Sequence, residues 1–358
     1  VTTPDPFHAS IIESSARALA AHAAELLLAR HPSASAFGTP AFRRWQDHLG
    51  GRLLELAGAM RAGEPDLFAS GLRWASIAFN ARGLSGDELL AALDAMGEAL
   101  EEGLPNAGPR AADPYLAVAR RALEAPARQP PPAVAGPYGE LASQYLLAVL
   151  EGDRRRAVAL IDEAVDRGLN PRDALVHVAI PVSCEIGRMW HLGEVTVGEE
   201  HFVTATSSLL FGAMRQRMSR AEPNGRCVMI ASVPGNRHEL AGRVAGLLLE
   251  AAGWRVVDVG TEMPSEDIVR SAADFGADLL VLGVMLTTQI ETTAATLNAL
   301  RDDERTRGTP VIVGGHVFDQ APQLWKRIGA DAHARTVGEI VELAEAVWKH
   351  RQNGGRDE

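Results

Sequence analysis

From residue 226 onward the chain changes its period. Short apolar runs, CVMIASV, WRVVDVG, LLVLGV, PVIVGG and ADAHA, alternate with stretches whose apolar residues recur at helical spacing. Strands alternating with helices indicate parallel crossovers, and five of them predict a flavodoxin-like doubly wound parallel sheet over 224–352. In such sheets ligands bind beyond the carboxyl ends of the strands. His238 follows the first apolar run and precedes the helical stretch ELAGRVAGLLLEAAG, which puts it on that edge.

The preceding 138–220 reads as four short amphipathic helices separated by Gly, Pro and Asp turn signals, the pattern of a compact bundle. Residues 126–137 contain three consecutive prolines and are expected to form an extended linker. Residues 1–125 are rich in Ala and Leu, with apolar residues at helical spacing in Ile11–Leu28, Phe42–Met60 and Leu89–Leu100. The fold class is therefore multidomain α plus α/β: an all-helical domain, a four-helix bundle and a doubly wound sheet.

A net charge of -11 argues against a surface built to hold phosphate backbones, so nucleic acid is not the expected partner. Two cysteines, Cys184 and Cys227, are too few for a disulfide framework or a cysteine-rich zinc module. The first residues lack the basic region and apolar core of a signal peptide, and no apolar run approaches the roughly 20 residues of a membrane helix. A cytoplasmic protein is the expectation, with no membrane partner. There is no catalytic nucleophile, phosphate loop or His-Glu-x-x-His pattern. The chain is expected to bind and sense without being an enzyme.

Two stretches carry chemistry. In PGNRHELAG, Gly235 and exposed amides at a helix start could cradle an anion, or His238 could merely cap the helix. In IGRMWHLGEVTVGEEHF, Trp190 is followed by His191 and, after nine intervening residues, by Glu200 and His201. Trp190 would end one helix, and the next would bring Glu200 and His201 back toward the same face. An indole can cover a flat ligand and a carboxylate can accept hydrogen bonds from it. Bundle core for Trp190 and an acidic helix start for Glu200-His201 are the plain alternatives.

The first stretch resembles the Asp-x-His-x-x-Gly signature of cobalamin-binding domains. Asn236 stands where that family has a carboxylate and Ala241 where it has Gly, with Gly242 next. The resemblance implies that His238 replaces the cofactor's own base as lower axial ligand of cobalt, with Arg237 and Glu239 beside it. Imidazole is a suitable borderline ligand for a transition metal, but a neutral amide can only orient it, whereas a carboxylate would also raise its basicity. The family's Ser-x-Leu appears as Val284-Met285-Leu286, so Thr287 or Thr288 would have to supply polar contacts to the nucleotide tail. Its glycine pair is intact at Gly314 and Gly315, where the tail can approach the backbone, although a tight turn needs glycines equally.

The second stretch resembles the cap of light-sensing, adenosylcobalamin-dependent repressors of the CarH type, which have Trp, nine residues, then Glu-His. That resemblance implies adenosylcobalamin between cap and α/β domain, covered by Trp190, with Glu200 accepting from ribose or adenine. It further implies that light releases the adenosyl group and that His191 then binds cobalt from above. A light-dependent change in homo-oligomeric assembly or in an effector partner would follow.

Those repressors begin with a DNA-reading domain that this chain lacks, and operator binding is not expected. The arrangement of a helical domain before cap and α/β domain resembles the photocobilins, which pair cobalamin with biliverdin. The stretch FRRWQDHLGGRLLELAGAMRAGEPDLFASGLRWASIAFNAR looks like a globin-like or bilin-binding sensor. The resemblance points to Trp45, Phe68, Trp74 and Phe79 for an apolar slot and to Arg43, Arg44, His48 and Arg82 for two propionates. Ordinary helical core and a solvated charged face account for each residue singly. With no cysteine in this domain, a bilin would be held noncovalently or through Cys184. Two other functions stay open: a corrinoid methyl carrier of a methyltransferase system, and an interaction module whose site has degenerated at Asn236, Ala241 and Val284.

Overall fold

A computed structural model describes residues 2–104, 108–125, 134 and 136–354. Most of the proline-rich stretch at 126–137 lies outside the described residues. The chain divides into two compact units. One holds the residues up to 129 together with Leu286–Glu291 and Gln320–Pro322, and the other holds the remainder.

The first unit is helical: α1 Pro6–Arg30, α2 Ala41–Ala62, α3 Pro65–Ala81, α4 Gly86–Gly103 and α5 Gly108–Glu124. Two starts are capped by side chains. Asp5 accepts from the His8 amide ahead of Pro6, and Ser85 accepts from the Asp87 amide. Gly63 ends α2 in the left-handed region, where a missing Cβ removes the strain. The buried face of α1 is small, Ala9, Ala16, Ala20, Ala23 and Ala24 with Ile12, Leu19 and Leu27, which lets α2 lie close against it.

The second unit opens with the bundle: α6 Gly139–Leu150, α7 Arg154–Asp166, α8 Pro171–Ala174, α9 Ile180–Leu192 and α10 Val197–Arg217. A wide π turn, Leu175–Ala179, joins α8 to α9 just before Pro181, which has no N–H to give the preceding turn. The sheet follows as β1 Cys227–Ser232, β2 Arg255–Asp258, β3 Leu279–Gly283, β4 Val311–Gly314 and β5 Ala332–Ala334. Between and after the strands come α11 Leu240–Ala251, α12 Ser265–Asp274, α13 Ile290–Asp302, α14 His316–Gln320, α15 Leu324–Arg327 and α16 Ile340–Gly354. All the strands pair in parallel in the order β2-β1-β3-β4-β5, the doubly wound arrangement expected. The order reverses at β1, and the β1–β3 step leaves the crevice that ligands use in such folds.

Bundle and sheet share one hydrophobic cluster. Tyr145, Ile161, Val178, Val182 and Leu210 belong to the same buried set as Val228, Ile230, Leu248, Val281 and Ile312. At the far edge Arg226 lies between the Trp254 and Trp348 rings, 5.3 and 5.0 Å from their centroids, and pairs with Glu345 at 2.8 Å. That stack ties the start of β1 to the last helix. Among the described residues no helix is long and apolar enough to cross a membrane.

Candidate functional site

The loop between β1 and α11 is held from both sides. Asn236, only 2% exposed, accepts at Oδ1 from the backbone N–H of His238 at 3.1 Å, while its Nδ2 donates to the Gly283 carbonyl at the end of β3, 3.0 Å away. The same Oδ1 lies 2.9 Å from His238 Nδ1. Ser232 Oγ donates to the His238 carbonyl at 3.4 Å, and the Glu262 amide donates to the Asn236 carbonyl at 3.1 Å. Gly235 makes the turn at φ +78°, where a side chain would be strained. His238 itself is exposed, with a ring edge turned to protein. Burial of that edge pushes its pKa below the ordinary imidazole value, and the Glu200 carboxylate pulls the other way.

Gly283 is required. A Cβ there would sit 2.8 Å from Ser232 Oγ, inside contact distance. Gly242 is not, because a Cβ there would meet only Ile230 at an ordinary 3.5 Å, so its place one residue beyond the family pattern has no steric consequence. The glycine pair at the end of β4 also differs within itself. Gly315 has φ +130° and a Cβ on it would overlap the Val284 carbonyl, whereas one on Gly314 would stand 3.6 Å from the nearest atom. The close approach that Gly315 permits is therefore to the chain's own Val284 peptide. Val284 is 1% exposed and its side chain belongs to the core. Leu286, Thr287 and Thr288 group with the first unit, where a Cβ on Gly58 of α2 would stand 2.6 Å from the Thr287 carbonyl oxygen. Arg237 is turned to Glu262 at 3.1 Å, and Glu239 pairs with Arg243 at 3.3 Å.

In the bundle, Trp190 stands near the end of α9 with 48% of its surface exposed, not in the core. His191 beside it is half-buried. Gly193 closes the helix in the left-handed region, and Arg188 pins the turn through Glu185 at 2.7 Å and Glu194 at 3.4 Å. Thr196 and Glu199 then form a reciprocal capping box that starts α10, a device that the T-x-x-E pattern signals. One residue later Glu200 accepts from Thr204 Oγ1 at 3.0 Å, half-buried, while His201 is 74% exposed and 3.6 Å from Glu200. Arg243 of α11 donates to Ser208 of α10 at 2.8 Å, fastening the bundle over the first α/β helix. The fit to a corrinoid rests on this set: one outward imidazole, a crevice edge free of side chains at Gly283, and an uncovered indole on the bundle.

The residues assigned to a bilin divide. Trp45 is wholly buried, its indole N–H donating to the Ala34 carbonyl at 2.8 Å. His48 joins it among Phe37 and Phe79, with centroid separations of 5.7, 5.7 and 5.2 Å to Trp45, Phe37 and Phe79. Arg43 and Arg82 lie on exposed surface, and Trp74 is partly exposed. The structure adds Arg52 and Glu55, an ion pair at 2.7 Å on the His48 side of α2, which spacing of four and seven residues could have revealed. Cys184 reaches solvent at its surface, yet the packing around it and Glu185 raise its thiol pKa, which disfavours the reactive thiolate.

Comparison with known proteins bears on both halves of the second unit. Residues 226–344 match a family described as B12 binding domain, and residues 141–214 match a second family of that description. A corrinoid protein of Desulfitobacterium hafniense is 28% identical over 206 residues, 56% of this chain and 94% of that protein. The HTH-type transcriptional repressor CarH of Myxococcus xanthus is 32% identical over 184 residues, 51% of this chain and 60% of the repressor. The solved monomethylamine corrinoid protein of Methanosarcina barkeri superposes with a TM-score of 0.53 at 19% identity, over 59% of this chain and 99% of that one.

Proposed function

We propose that this cobalamin-binding protein is a light sensor that holds adenosylcobalamin between its bundle and its α/β domain. Trp190 carries the reading: an indole left uncovered at the end of α9, separated from Glu200 by nine residues, is placed to cover a large flat group. Adenosylcobalamin, when bound, supplies a cobalt–carbon bond that visible light breaks. His238 would offer its imidazole nitrogen to the cobalt, Trp190 would exclude water from the adenosyl group, and Glu200 would accept hydrogen bonds from its ribose or adenine. His191, next to Trp190, would be the residue to hold the cobalt in the lit state. Replacing a bulky group by a side chain of α9 alters the contacts of the bundle and biases it between two arrangements, which changes assembly or an effector contact.

The test is a visible spectrum of the chain mixed in darkness with adenosylcobalamin, desalted, and recorded before and after green light. An irreversible change is expected, with His191→Ala altering only the lit spectrum and His238→Ala altering both. Retained corrinoid with no change on illumination would overturn the sensor. It would favour the second reading, a methyl carrier for a methyltransferase, which draws support from the likeness to corrinoid proteins along nearly their whole length. Biliverdin in the same mixture tests the first unit as a second chromophore site, expected to give a retained far-red band that His48→Ala weakens.

A further inference from the structure

Two backbone groups decide how the Asn236 amide is oriented. The His238 N–H can only donate and the Gly283 carbonyl can only accept, so the atom facing His238 is Oδ1 and the atom facing Gly283 is Nδ2. An amide oxygen has no hydrogen to give. The His238 Nδ1 atom 2.9 Å from it must therefore carry the ring proton, which leaves Nε2 with a bare lone pair.

We infer that Asn236 is a positioning residue specific to its amide: it locks His238 in the Nδ1–H tautomer by bridging the ligand loop to the end of β3 at Gly283. A carboxylate could satisfy the histidine but not the Gly283 carbonyl, since it would set oxygen against oxygen at a buried contact of 3.0 Å. Asn236 is thus no weakened copy of an acid. A side chain at Gly283 would press on Ser232 Oγ at 2.8 Å and approach Nδ2 at 3.4 Å, crowding the bridge. One partner of the amide, the Gly283 carbonyl, ends β3, and the other, the His238 N–H, lies in the loop two residues before α11, so the bridge ties that loop to the sheet and aims the Nε2 lone pair before any ligand arrives.

The inference rests on His238 as the lower ligand for its purpose, but not for its first measurement. In the full chain without corrinoid, two-bond ¹⁵N–¹H correlation of the imidazoles reports the tautomer directly. Wild type should show His238 protonated at Nδ1, and Asn236→Leu, similar in size and unable to bridge, should show a mixture of tautomers. A wild-type ring protonated at Nε2, or an unchanged ring in Asn236→Leu, overturns the inference. Asn236→Asp separates the amide from orientation alone: faster amide hydrogen exchange at Gly235–His238 and roughly ten-fold weaker cobalamin binding are expected. Binding as tight as wild type, with unchanged exchange, would show that the amide is not required. If instead His238→Ala binds cobalamin with an unaltered spectrum, ligation by His238 fails while the tautomer result stands.

Discussion

An exposed tryptophan is unusual enough to need a partner, and Trp190 has its surface half open where a core residue would have almost none. Removing it should therefore cost little in folding. Trp190→Ala is expected to leave stability to denaturant within about 0.5 kcal/mol. Its effect should appear in ligand choice instead, with adenosylcobalamin bound roughly ten-fold more weakly, the worth of a lost stacking contact of about 1.4 kcal/mol, and methylcobalamin unchanged. Titration of both corrinoids in the dark measures this, and an equal loss for the two would remove the covering role. From the sequence Trp190 fitted bundle core as well as a lid, because helical spacing states which face a residue is on but not whether anything lies over that face. Asn236 was harder to read. Its departure from an acid looks like a loss until the Gly283 carbonyl, 47 positions away, is seen to need the donor.

Strands and helices were legible because period and turn chemistry are local, and the five apolar runs became the five strands. What crosses between elements was not. Gly314 and Gly315 look equivalent in the chain, yet only the second passes over the Val284 peptide in a conformation reserved for glycine. Gly315→Ala should lower stability by about 3 kcal/mol, combining backbone strain with the overlap, while Gly314→Ala should cost less than half of that. Urea unfolding of the two variants distinguishes them. The placing of Thr287 and Thr288 was illegible for a related reason: their segment packs with α2 at Gly58, a contact between positions more than 200 residues apart that no periodicity announces.

At the scale of the molecule, each unit buries an imidazole nitrogen that has no hydrogen-bond partner among the described residues, His333 in the second and His48 on α2 in the first. His48 Nε2 is buried and has no hydrogen-bond partner, and burial, with Arg52 nearby, depresses its pKa to about 3. In the unfolded chain the same ring titrates near 6.5. Below that pH the unfolded chain takes up a proton that the folded chain refuses. Stability is therefore full above about pH 6.5 and declines as pH falls, by up to about 1.4 kcal/mol per pH unit. Glu55, whose carboxyl burial raises in pKa, acts in the opposite sense, so the histidine contribution is read as the difference between the wild type and a variant that keeps Glu55. His48→Phe keeps a ring among Phe37, Trp45 and Phe79 and removes the proton site. Urea unfolding of the full chain from pH 7.5 to 5 should show the wild type losing stability faster than His48→Phe, with the two converging in slope above pH 6.5. Parallel curves throughout would mean that His48 is protonated as readily in the folded unit as outside it, through an opening that reaches its ring. A chain that keeps a neutral imidazole at this position keeps the aromatic cluster around it dry, and the pH profile reads that property without any ligand bound.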